Sequence, residues 1–69
     1  MRYGEKLKKY REMRGLTQAE LAEQADATRS HIAMIERGSR TLSLEVAAKC
    51  ADALHVSVMD FLTENSERG

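Results

Sequence analysis

The sequence predicts an all-α fold, four helices and a short fifth, in one domain spanning residues 1–69. Three observations predict it. The composition contains no proline and is dominated by Ala, Leu, Glu, Lys and Arg, with few β-branched residues. Apolar residues recur at steps of three and four along most of the chain. Helix starts and stops are marked by Thr17, Thr28 and Ser43 on one side and by Gly15 and Gly38 on the other. A chain of 69 residues has room for one small core; a domain near this size buries only about 60% of its unfolded surface.

Each helix has its own signature. Helix one is expected over Arg2–Met13, because Tyr3, Leu7, Tyr10 and Arg14 step by four, three and four along one face. Gly15 ends it, and Leu16 is expected to be buried. Thr17 with Glu20 three residues later forms a capping box, opening helix two over Gln18–Gln24 with Leu21, Ala22 and Ala25 facing inward. Asp26-Ala27 is a short turn, and Thr28 is a good N-cap residue. Helix three runs over Arg29–Arg37 with Ile32 and Ile35 inward, and Gly38-Ser39 ends it. Arg40 to Leu42 is loop. Ser43 caps helix four, whose inward residues are Leu44, Ala47, Cys50, Ala51 and Leu54. His55 closes that helix, Ser57 or Val58 opens the fifth through Leu62, and residues 63–69 form a tail.

Composition excludes several classes of function. Apolar runs stop at four residues (Ile32 to Ile35), too few for a membrane span or a secretory signal core. The single cysteine leaves no intrachain disulfide and no cysteine-based zinc site, so a reducing, cytoplasmic location is the default. Cys50 is expected as a small buried hydrophobe. Two isolated histidines give no metal pattern, and neither a cofactor nor a small-molecule ligand is expected. No paired carboxylates, nucleophile–base set or glycine-rich phosphate loop suggests an enzyme. Eleven basic residues balance eleven acidic ones. The excess is positive over 1–14 and 28–40 and negative over 15–27 and 41–69. That alternation suits one basic face for a polyanion, and equally a solvated surface.

The middle of the chain is the informative part. Helices two and three are short and joined by a few residues, the helix-turn-helix arrangement, over about residues 18–37. Ala22 is small enough for two helix backbones to approach there. Away from Ile32 and Ile35, helix three carries Arg29, Ser30, Ala33 and Met34, with His31 and Arg37 at the margins. A helix with short polar residues and an arginine at its N-terminal end can enter a DNA major groove.

The strings Arg11-Glu-Met-Arg-Gly-Leu-Thr-Gln-Ala-Glu-Leu-Ala22, Arg29-Ser-His-Ile-Ala-Met-Ile-Glu-Arg-Gly38 and Ser43-Leu-Glu resemble the phage-repressor (Cro/CI, XRE-type) helix-turn-helix family. The resemblance covers about residues 4–62. It implies a compact five-helix, lambda-repressor-like DNA-binding domain, usually a transcriptional regulator acting as a homodimer on a duplex operator. By that resemblance Thr28, Arg29, Ser30, His31 and Met34 face bases, His31 touching bases or backbone. Gln18 clamps a phosphate and braces the recognition helix, Arg37, Ser39 and Arg40 contact phosphates, and Arg11 and Glu36 form an internal salt bridge. Two departures stand out: Asp26 occupies a turn position usually held by glycine, and Ala33 and Met34 replace longer polar side chains. Asp tolerates left-handed geometry better than most residues.

One recognition helix covers only a few base pairs, and two-fold dimers read half-sites about 34 Å apart. Val56 and Phe61 are expected to close the core, while Val58, Met59 and Leu62 are candidates for an isologous dimer interface. Residues 29–44 further resemble the controller proteins of restriction–modification systems; a small phage or mobile-element repressor and an antitoxin are the alternatives. A different class, a protein-interaction module on the same fold, would favour an exposed apolar stripe on helix three in place of Arg29 and Arg37. An activator would also touch RNA polymerase, for which Glu20 and Glu23 on helix two offer an acidic surface.

Overall fold

Five helices make up residues 3–62, the part of the chain that the computed structural model describes; of Leu62 it describes the backbone alone. In order these are α1 (Tyr3–Met13), α2 (Gln18–Gln24), α3 (Arg29–Arg37), α4 (Leu44–Leu54) and α5 (Met59–Leu62). No strand occurs among the described residues. The expected start of helix one at Arg2 and the tail over 63–69 lie outside them.

The helix ends follow their side chains. The Thr17 hydroxyl accepts the Glu20 amide at 3.0 Å, and the Thr17 amide donates to Glu20 Oε1 at 2.8 Å, so the capping box is complete in both directions. Thr28 Oγ1 accepts the His31 amide at 3.1 Å, and Ser43 Oγ accepts the Val46 amide at 3.2 Å. Gly38 ends α3 in the left-handed region at φ 84. Asp26 and His55 adopt φ values of 57 and 60. Both stand where a glycine would carry no side-chain penalty. Asp26 also accepts Lys49 Nζ at 3.5 Å, a link from the turn to α4.

The core gathers Leu7, Leu21, Ile32, Ile35, Cys50, Leu54 and Phe61, all essentially inaccessible to solvent. Phe61 meets Tyr10 edge to face with ring centroids 5.7 Å apart, which fastens α5 onto α1. Burial pushes the Cys50 thiol up to about 11, with the Glu36 charge adding to the effect. This side chain therefore serves as packing and stays protonated at neutral pH.

Three expectations change, and one feature is new. Leu44 points outward, 66% exposed. It sits in the first turn of α4, where Leu42 from the preceding loop supplies the buried side chain instead. Arg14 lies past the end of α1 and is exposed, so it does not continue the Tyr3–Leu7–Tyr10 face. Leu16 is half-buried at the margin of the core. Gly4 and Lys6 are buried on α1, which apolar periodicity does not reveal.

α3 lies against both α2 and α1. The contact with α1 is close enough that Gly4 leaves no room for a Cβ: one built there would run into the Ile35 carbonyl oxygen and crowd that of Glu36 at 3.2 Å. α1 thus serves as the platform on which the C-terminal half of α3 rests.

Candidate nucleic-acid interface

α3 buries only Ile32 and Ile35. Its first residues, with the cap Thr28, stand in solvent: Thr28, Arg29 and Ser30 are exposed, and His31, Ala33 and Met34 are half-buried. Arg29, Ala33 and Arg37 recur every four residues and so form one ridge along the helix. A shallow groove runs on each side of it. One is bounded by Ser30 and Met34. The other is bounded by Lys8, Arg11, Gln18 and Glu36 from α1, α2 and the far end of α3. The ridge is low in its middle, at Ala33, and cationic at both ends. Arg37 continues into an exposed turn that carries Ser39 and Arg40.

The floor of the second groove is a half-buried polar cluster. Arg11 Nε donates to Glu36 Oε2 at 2.7 Å and its second terminal nitrogen to Oε1 at 3.2 Å, a forked pair. The two side chains are 11% and 4% exposed. Arg11 also donates to the Leu16 carbonyl at 2.8 Å, closing the turn after α1. The hydrogen bonds that Arg11 donates to the Glu36 carboxylate are the main reason its guanidinium holds its proton above the ordinary arginine range. Gln18 Nε2 donates to Glu36 Oε1 at 3.1 Å, so one carboxylate gathers α1, α2 and α3 at a single point. Among the described residues no buried side-chain polar atom is left without a partner.

Arg11, Glu36 and Gln18 stand out in the sequence only through the family resemblance, and nothing in it joins Gln18 to Glu36. Lys8 carries no sequence signal, since its place beside α3 depends on the crossing of two helices. Glu20 is committed to the α2 cap through its hydrogen bond to the Thr17 amide. At the other end of the molecule Met59 is 54% exposed, whereas Val58 is half-buried and packs against the core. The expectation for Leu62 concerns a side chain outside the described ones. No group of three or more potential metal ligands occurs among the described residues, and no described helix is long and apolar enough to cross a membrane.

Comparison with known proteins agrees with this architecture. The family model described as "Helix-turn-helix" matches residues 7–61. The chain is 37% identical over 65 residues to the transcriptional regulator SinR of Bacillus licheniformis, covering 93% of this chain and 59% of that protein. It thus spans about three fifths of the length of that relative. A crystal structure of SinR in complex with DNA superposes with a TM-score of 0.84 at 35% identity, covering 88% of this chain and 98% of that one. The immunity repressor of Bacillus phage phi105 is 38% identical over 66 residues, with 96% of this chain and 46% of the repressor covered. The restriction–modification controller protein C.AhdI of Aeromonas hydrophila gives a TM-score of 0.82 at 34% identity, covering 86% of each chain.

Proposed function

The chain belongs to the helix-turn-helix family of DNA-binding transcriptional regulators, and on that premise we propose that it binds a specific duplex operator as a homodimer. The observation that carries this reading is the solvent-facing surface of α3, whose exposed residues include Arg29, Ser30 and Arg37 and form no apolar stripe. Thr28, Arg29, Ser30, His31 and Met34 would meet bases. Arg29 is the reader with most discrimination, since a bidentate arginine–guanine contact contributes roughly 1–3 kcal/mol. Met34 would pack on a thymine methyl. Gln18, Arg37, Ser39 and Arg40 would hold phosphates, which position the helix without reading sequence.

Fluorescence anisotropy with the protein's own upstream DNA and with a scrambled duplex, over a salt series, tests this reading. The expected result is binding to the former about a thousandfold tighter or more, with a steep negative salt slope. Equally weak binding to both, followed by a random-sequence selection that enriches nothing, would overturn it.

Two half-sites read by two copies require an interface between them. We place it at the exposed Met59 on α5, with the half-buried Val58 beside it. Met59→Asp is expected to give a folded monomer by light scattering with weakened operator binding. An unchanged dimer mass would move the interface elsewhere.

Within this function the restriction–modification controller is the subtype we favour, on the resemblance over residues 29–44 and the likeness to C.AhdI. The 38% identity to a phage immunity repressor supports repression as the second reading. Reporter transcription from the bound promoter separates them. Output that switches as the protein accumulates supports the controller reading, and output that only falls supports the repressor reading.

A further inference from the structure

The groove between α1 and α3 has a charge balance that the family resemblance did not assign. Four cations line it, Lys8, Arg11, Arg29 and Arg37, against one carboxylate, Glu36. That carboxylate is already engaged: Arg11 holds both of its oxygens and Gln18 donates to one of them. It is also the most enclosed member, at 4% exposure. Lys8, Arg29 and Arg37 are exposed and, among the described residues, have no acidic partner. The rim is therefore a ring of three uncompensated cations around a floor whose own charges cancel. Gln18 stands at the same rim; with one amide hydrogen given to Glu36, its second remains to donate outward.

The geometry points to Lys8 as a DNA-backbone contact made by α1. The groove takes a phosphate on the flank of the major groove that α3 enters, with Lys8 closing on it from the side opposite Arg29 and Arg37. The inference rests on the DNA-binding reading above and extends its footprint beyond the helix-turn-helix to the first helix. A phosphate is the fitting occupant because the site offers point charges and an amide donor, and Ala33 is the one apolar residue among those that line it; a lysine supplies charge without demanding one geometry. Proximity to the Arg11–Glu36 pair makes the position reproducible. Lys8 lies one turn before Arg11 on the same helix, and Arg11 is fixed to α3.

The test pairs Lys8→Gln with Lys9→Gln. Both remove one positive charge from an exposed position on α1, and only Lys8 lines the groove. Lys8→Gln is expected to weaken binding to operator and scrambled duplex by the same factor. It should also make the slope of log affinity against log salt shallower by about 0.9, the contribution of one phosphate contact. Over a fourfold rise in salt that slope corresponds to roughly a threefold difference. Lys9→Gln is expected to keep the original slope, and Lys8→Arg to restore it. A Lys8→Gln slope equal to that of the unsubstituted protein overturns the inference. So does an equal loss in both variants, which would mean a diffuse effect of α1 charge. If the unsubstituted protein shows no salt-dependent DNA binding, the functional reading fails and the inference fails with it.

Discussion

Gly4→Ala is expected to destabilise the fold by roughly 1–3 kcal/mol, the range for forced overpacking, and to lower the melting temperature by roughly 4–24 °C at the 4–8 °C per kcal/mol of a domain this small. The sign is what makes the experiment decisive. Judged by helix propensity alone, replacing a glycine inside α1 with alanine should stabilise by up to about 1 kcal/mol. Packing predicts the opposite. The added methyl would meet the Ile35 carbonyl oxygen and crowd the Glu36 carbonyl, and both are backbone atoms, which no rotamer change can move aside. α1 would have to shift off α3, loosening the contact that also carries Arg11 to Glu36. Circular-dichroism melts of the two proteins measure the difference. An unchanged or raised melting temperature would show that α1 rides on α3 with slack.

That glycine marks the boundary of what the sequence discloses. Helix limits are local events. Thr17 with Glu20, Thr28, Ser43 and Gly38 each act within a few residues, and the bonds they make are the ones their spacing implies. The inward faces of α2 and α3 follow from period alone, as Leu21, Ile32 and Ile35 show. Gly4 carries no such sign, because a helix contact close enough to exclude a methyl is a property of two segments about thirty residues apart. The outward turn of Leu44 has the same origin: the loop decides which leucine, 42 or 44, reaches the core. In the site, the exposed face of α3 is legible from its own sequence. The forked pair of Arg11 and Glu36 joins residues 25 apart, and no pattern within either helix announces it. The groove that brings Lys8 beside Arg29 and Arg37 likewise exists only once α1 has crossed α3.

Glu36→Ala is expected to be the most damaging single change at the interface. Removing one partner of a fully buried ion pair costs about 3–5 kcal/mol, because the remaining charge is left without compensation; for this half-buried pair that range is the upper bound. Here the remaining charge is Arg11, 11% exposed, and Gln18 loses its anchor in the same step. Against the 5–15 kcal/mol that holds a typical domain together, a loss approaching that bound is a sizeable fraction of the stability. Loss of DNA binding by that variant would therefore say little about the interface. The informative protein is the double replacement Arg11→Met with Glu36→Leu. Apolar residues of similar volume often substitute for a buried pair at little cost, so this variant should recover most of the stability that Glu36→Ala loses. If the cluster serves only to hold α1 on α3, operator binding should recover with it. If it also aims Gln18, the recovered fold should still bind less tightly, since Gln18 Nε2 would have no acceptor to fix its direction. Melting temperature and anisotropy measured on the same three proteins separate the two cases. Parallel recovery of both would assign the cluster to stability alone, and recovery of the melt without the affinity would make Glu36 the residue that positions Gln18 at the phosphate.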